Sequence, residues 1–158
     1  MRRTLDVLLV ASLWCLLGGW IGALALFSVV VAPVAFQVLP SSEVAGKLVG
    51  PVLRSLNLYG VAAGLALVAI AWHFRRGWLA LVLPLVLTAL ALVSELGITA
   101  AIEKVRPLAF GATPDPAALA EFGRLHGFSV ALFGVTGVTA LVLAWLHAKA
   151  DVKARGPS

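Results

Sequence analysis

Four apolar runs alternate with short polar segments along this chain. Val7–Ala32, Ser55–Phe74 and Leu125–Ala148 contain no Asp, Glu, Lys or Arg, and Gly77–Ile102 contains one, Glu95. A helix needs roughly 20 apolar residues to cross a hydrocarbon core about 30 Å thick, and each run is long enough. The pattern predicts an all-α integral membrane four-helix bundle in a single membrane domain, residues 1–158. Its spans are expected at about 7–32, 52–74, 77–103 and 119–148, with the fourth helix beginning near 116.

The punctuation between the runs adds detail. Span one is expected to end near Pro33, with Val34–Pro40 as an irregular or amphipathic exit. Ser41 can cap a helix and Glu43 then sits in its first turn, near the positive end of the dipole. Gly50-Pro51 reads as a break. This predicts a short external amphipathic helix, about Ser42–Val49, between spans one and two. Arg75-Arg76-Gly77 reads as a tight turn, which makes spans two and three neighbours. Pro84 lies inside span three, and Arg106–Asp115 reads as a second external loop. Asp115-Pro116 is a cap followed by proline at the first helical position. Gly18/Gly22, Gly60/Gly64 and Gly123/Gly127 repeat a spacing of four, which lets helix backbones approach closely in lipid. Together the pairs suggest a compact bundle and a homo-oligomer or another membrane-protein partner.

Composition sharpens this class. Of the 158 residues, 61% are hydrophobic and 12% charged, against about 25% charged in a soluble domain, and the mean hydropathy is +1.04. Only short loops and tails remain outside the spans, so no soluble catalytic domain is expected. The net charge of +5 is distributed unevenly. Arg2, Arg3, Arg75, Arg76, Lys149, Lys153 and Arg155 flank one side; Lys47, Arg54, Lys104, Arg106 and Arg124 flank the other, diluted by four acids. Cytoplasmic segments are rich in Lys and Arg, which puts both termini in the cytoplasm of a multi-pass plasma-membrane protein, with a bacterial inner membrane the expected home. Basic ends suit anionic lipid headgroups, and no basic stripe suits nucleic acid. Met1–Arg3 and Ala23-Leu24-Ala25 resemble a signal peptide, but the apolar run continues to Ala32, well past a 7–15-residue signal core. Cys15 is the one cysteine and reads as a small apolar helix residue.

The polar residues inside the spans carry the candidate chemistry. An acid at mid-helix costs about 2.5–3.5 kcal/mol on insertion scales. Thr88, Glu95, Thr99, Glu103 and Arg106 fall on one stripe of an ideal helix, with Glu95 about 12 Å deeper than Glu103. Arg54 and Asn57 on span two, His126 and Ser129 on span four, and Gln37 after span one offer complementary groups at similar depth. A polar pocket of Arg54, Asn57, Glu95, Thr99, Arg106, His126 and Ser129 follows. Either it binds or relays something, or Glu95 pairs with Arg54 or His126 and clamps the helix register. His73 and His147 could face one another across a haem, but they read first as interfacial side chains beside Arg75 and Lys149. No nucleophile–base pair, phosphate loop or metal-spaced cluster is present, so neither catalytic nor metal residues are assigned and no cofactor is expected. Trp72, Trp78 and Trp145 suit an interfacial aromatic belt.

Four segments together carry a family resemblance: Phe27–Phe36, Gly46–Leu53, the stretch from Thr99 to Arg106, and Phe122–Ser129 with its Phe-x-x-x-His-x-x-Ser pattern. Over about Leu16–Phe133 the chain resembles the transmembrane protein 205-like family, whose bacterial branch is domain of unknown function 4149. The resemblance implies four spans, implies no established activity, and singles out Pro33, Phe36, Arg106, His126 and Ser129. Trp14 and Gly18-Gly19 also look faintly like copper-resistance D-type and protoporphyrinogen-oxidase J-type proteins, which place a histidine early in that helix; this chain has none there. The first functional reading is a non-enzymatic membrane module that packs with itself or a partner. The alternative is a small-solute or proton-linked binding or transport protein using the polar pocket. Haem binding ranks last.

Overall fold

Four long helices form a ring in which each packs against its two sequence neighbours and α1 closes on α4. The computed structural model describes residues 2–156, with the side chain of Arg155 outside that description. Helix α1 runs Arg2–Val38, α2 Ser42–His73, α3 Trp78–Phe110 and α4 Pro116–Arg155. All four are long and apolar enough to cross a bilayer, each holding an 18-residue stretch of mean hydropathy 2.2, 1.7, 2.3 and 2.0 respectively. The chain is a multi-pass membrane four-helix bundle. At 1.5 Å per residue the helices are about 48–60 Å long, more than the bilayer core requires, so tilting or protruding ends must absorb the excess.

The caps form where Ser41 and Asp115 place them. Ser41 Oγ accepts from the Val44 N–H at 3.2 Å, and Asp115 Oδ1 accepts from the Ala117 N–H at 2.9 Å. Helix α2 ends in a Schellman turn: the N–H of Arg76 reaches the Ala71 carbonyl and that of Arg75 the Trp72 carbonyl, each at 3.1 Å. Arg75 adopts the left-handed conformation, φ 51°, and Gly77 follows at φ 87°. This turn folds α3 back against α2.

Three sequence expectations are corrected. The short helix over Ser42–Val49 is not separate, because α2 continues through Gly50-Pro51 to His73. Proline removes one donor, and a helix this long retains the bonds on either side. Span one does not stop at Pro33: a π-helical segment, Phe27–Val31, leads into a further helix to Val38. The loop expected from Arg106 begins only after Phe110, with Pro107 inside the helix. Arg106 is therefore held on a helix.

The closed core lies toward the end that carries both termini. Leu13, Leu17, Trp20 and Leu24 of α1 meet Ala63, Leu67 and Ile70 of α2, Leu87 of α3, and Ala140 and Leu143 of α4. Gly60 and Gly64 make this packing possible. A Cβ on Gly60 would stand 2.6 Å from Trp20 Cζ2, and one on Gly64 would overlap Thr88 Oγ1. The other two glycine pairs behave differently. Gly18, Gly22, Gly123 and Gly127 have no neighbour within 4 Å of a Cβ, so only one of the three pairs packs within the bundle.

Candidate functional site

Helix α3 changes its winding at Val93–Thr99, a seven-residue π-helical segment that contains Glu95. Its i→i+5 bonds place more residues in each turn than an α-helix does, so residues after it are rotated away from an ideal stripe. Thr88, before the segment, is buried, Thr99 is half-buried, and Glu103, beyond it, is exposed. The stripe expected from an unbroken helix therefore does not extend to Glu103.

Glu95 finds Arg54. The Arg54 Nε lies 3.1 Å from Glu95 Oε1 in an ion pair; the carboxylate side chain is 13% exposed and the guanidinium 63%. Glu95 Oε2 is enclosed and has no hydrogen-bond partner. One residue earlier, Ser94 Oγ accepts from Asn57 Nδ2 at 3.2 Å. Asn57, Ser94, Ser129 and Thr136, with Trp20 and Leu24 of α1, line a void of about 10 Å³ at the centre of the four helices, room for about one water molecule. The Thr136 hydroxyl already donates to the Leu132 carbonyl at 2.9 Å, which leaves it able only to accept.

A larger cavity opens at the end of the bundle opposite the termini. It has a volume of about 510 Å³ and draws its walls from all four helices. Five of its lining residues are phenylalanines: Phe27, Phe36, Phe110, Phe122 and Phe133. Phe110 meets Phe122 edge-on at 4.9 Å, Phe122 stacks on His126 at 6.1 Å, and Phe27 lies 5.5 Å from Phe133. Among these rings sit Thr99, Arg106, His126 and Ser129. Arg106 Nη2 rests over Gly46 and Gly50, 3.7 and 3.9 Å from where their Cβ atoms would stand. Glu43, also lining the cavity, is paired with Lys47 at 2.6 Å. Both π segments border the space, one through Phe27 and Ser28 and the other through Thr99.

The seven residues expected in one pocket thus separate. Thr99, Arg106, His126 and Ser129 share the cavity; Arg54 and Glu95 form an ion pair that does not line it; Asn57 and Ser129 meet at the small void. Gln37 is exposed and lines neither space. Sequence reasoning passed over Ser94 and Thr136, two hydroxyls in apolar runs, and the phenylalanine walls, since ring clustering across helices leaves no mark in any single helix's pattern.

The two histidines near the termini have different surroundings. His73 is exposed and contacts Asp6 Oδ1 at 3.0 Å, as an interfacial side chain can. His147 is fully enclosed, and among the described residues neither ring nitrogen is hydrogen-bonded. Beside it Arg76 donates to the His147 carbonyl at 3.1 Å and pairs with Asp151 at 2.5 Å, while Trp14 Nε1 donates to Asp151 Oδ2 at 3.0 Å. This network ties α1, the α2–α3 turn and α4 together.

Comparison with known proteins places the chain by family rather than by activity. A search of the curated proteins finds no match, nor does a search of the solved structures. The family profile described as a domain of unknown function, DUF4149, matches residues 15–110, which takes in α1 from Cys15, all of α2 and all of α3 but stops before the Phe122–Ser129 segment. That match spans well over half of the chain, and the protein belongs to the DUF4149 family.

Proposed function

We propose that this protein is a non-enzymatic membrane binding protein that holds a small amphipathic molecule in the cavity opposite its termini. One observation carries the reading: about 510 Å³ of space walled by five phenylalanines and furnished with Arg106, His126, Thr99 and Ser129. Ligand sites are concave and mostly apolar, with a few convergent polar groups that fix orientation, and typically enclose roughly 300–1,000 Å³. The bordering π segments support it, since such segments recur at functional sites. The basic flanks Arg75, Arg76, Lys149 and Lys153 support an orientation with both termini in the cytoplasm of a bacterial inner membrane, so that the cavity faces outward.

Native mass spectrometry of protein extracted in mild detergent tests the binding reading. Wild type is expected to carry a bound small molecule at one per chain. Val130→Trp, which places an indole in the cavity, is expected to lose it at unchanged melting temperature. Identical ligand-free spectra for both proteins would remove the reading.

A second reading rests on a separate observation. Gly18, Gly22, Gly123 and Gly127 present surfaces with no neighbour within 4 Å, which suits close packing against another helix in lipid. As a module that packs with itself or a membrane-protein partner, the protein would use these faces. Crosslinking in membranes would show a dimer weakened by Gly18→Leu and Gly123→Leu; equal crosslinking in wild type and variants would count against it.

A further inference from the structure

We infer that the cavity takes a single-chain amphiphile with an anionic headgroup, supplied by the surrounding bilayer, and that Arg106 is the headgroup's partner. The inference rests on the cavity being a binding site and adds the ligand's chemical class. Arg106 is half-buried on a membrane-spanning helix, and its guanidinium carries donors and no acceptor. Among the described residues it forms no ion pair, whereas Arg54, Arg76 and Arg124 each hold a carboxylate. A guanidinium in this setting is costly unless an anion meets it. Among the residues lining the cavity the carboxylate is Glu43, and it is paired with Lys47. What remains for an incoming group is one permanent cation with a fork of donors suited to a carboxylate or phosphate, and His126 as a second polar contact.

The rest of the wall argues for a chain behind that head. Phe27, Phe36, Phe110, Phe122 and Phe133, with Val49, Leu53, Ile102 and Val130, have no side-chain hydrogen-bonding group to offer a peptide backbone or a polar solute. A hydrated inorganic anion would leave those rings against water, while a hydrocarbon tail covers them. Gly46 and Gly50 contribute through what they lack. With no side chains they form the shelf against which the Arg106 guanidinium rests; a Cβ would meet it at ordinary contact distance, 3.7 and 3.9 Å, so only a side chain longer than alanine's would crowd it.

The test uses full-length tagged protein in maltoside detergent and scintillation proximity with radiolabelled oleate. Saturable binding at one oleate per chain is expected, with oleyl alcohol competing about tenfold less well, because a charge-assisted bidentate contact is worth about one order of magnitude or more. Arg106→Gln should weaken oleate about tenfold and leave oleyl alcohol unchanged. Gly46→Leu, which crowds the shelf without touching the charge, should weaken oleate as well and carries the test if Arg106→Gln fails to fold. Oleyl alcohol competing as well as oleate, with both variants unaffected, would overturn the headgroup assignment and leave the cavity a binding site. Inorganic phosphate competing at the same concentration as oleate would overturn the amphiphile in favour of a free anion. No saturable oleate in wild type, with a bound molecule still seen by native mass spectrometry, would overturn the ligand class alone.

Discussion

Glu95 shows how much one residue can demand of a membrane protein. A carboxylate in the middle of an apolar run must meet a cation, take up a proton or be compensated by water, and here Arg54 reaches across from α2 to within 3.1 Å. The pair does not line the cavity, so its expected role is to hold α2 and α3 in register. Glu95→Gln keeps an acceptor for Arg54 but replaces the enclosed, unpartnered Oε2 with an amide that brings two more donors into the same place. It should lower stability in detergent by about 1–3 kcal/mol, the cost of unsatisfied buried polar groups, and leave bound amphiphile intact. A normal melting curve combined with loss of the bound molecule would instead make Glu95 part of the site. That Glu95 needs a partner was legible from its run alone. Which partner it takes was not, because the π segment at Val93–Thr99 rotates the helix by an amount that apolar periodicity does not reveal.

At the scale of elements, the local signals worked best where the chain leaves a helix and worst where it stays in one. Ser41 and Asp115 cap as their chemistry requires, and Ser41→Ala should cost about 0.5–2 kcal/mol in a detergent melt. Pro33, Pro51, Pro84 and Pro107 all sit inside helices, although three of these prolines or their neighbours read as breaks. In hydrocarbon a helix keeps its backbone bonds because nothing else can satisfy them, so a single proline is absorbed rather than ending the span. The glycines separate on the same logic of surroundings. Gly64→Ala drives a methyl group into Thr88 Oγ1 and toward the Pro84 carbonyl and should destabilise by about 1–3 kcal/mol; Gly18→Ala meets nothing within 4 Å and should leave the monomer's melt unchanged. Equal effects of the two would mean that the α2–α3 contact is looser than its geometry implies.

Across the whole molecule, one end is tied and the other is open. At the termini end Trp14, Arg76, Asp151 and the His147 carbonyl join three parts of the chain, with the Arg76 side chain 7% exposed. Asp151→Asn weakens both its contacts at once and leaves Arg76 enclosed with its charge uncompensated. A loss of about 1–3 kcal/mol is expected, with oleate binding at the far end unchanged; a melt indistinguishable from wild type would show that the network contributes nothing. The sequence by itself determined the class and the four spans, because the length and polarity of an apolar run are enough to choose hydrocarbon over water. It also determined the caps, the α2–α3 turn, and the need to compensate Glu95, all of which depend on residues close in the chain or on a cost intrinsic to one group. The tertiary structure alone decided that Arg54 rather than His126 meets Glu95, that His147 is enclosed, that Asp151 closes the termini end, and that five phenylalanines from three helices line one cavity with Arg106. Those outcomes depend on how each helix is rotated and which neighbour it faces, and two π segments reset that rotation inside the spans where every apolar position looks alike.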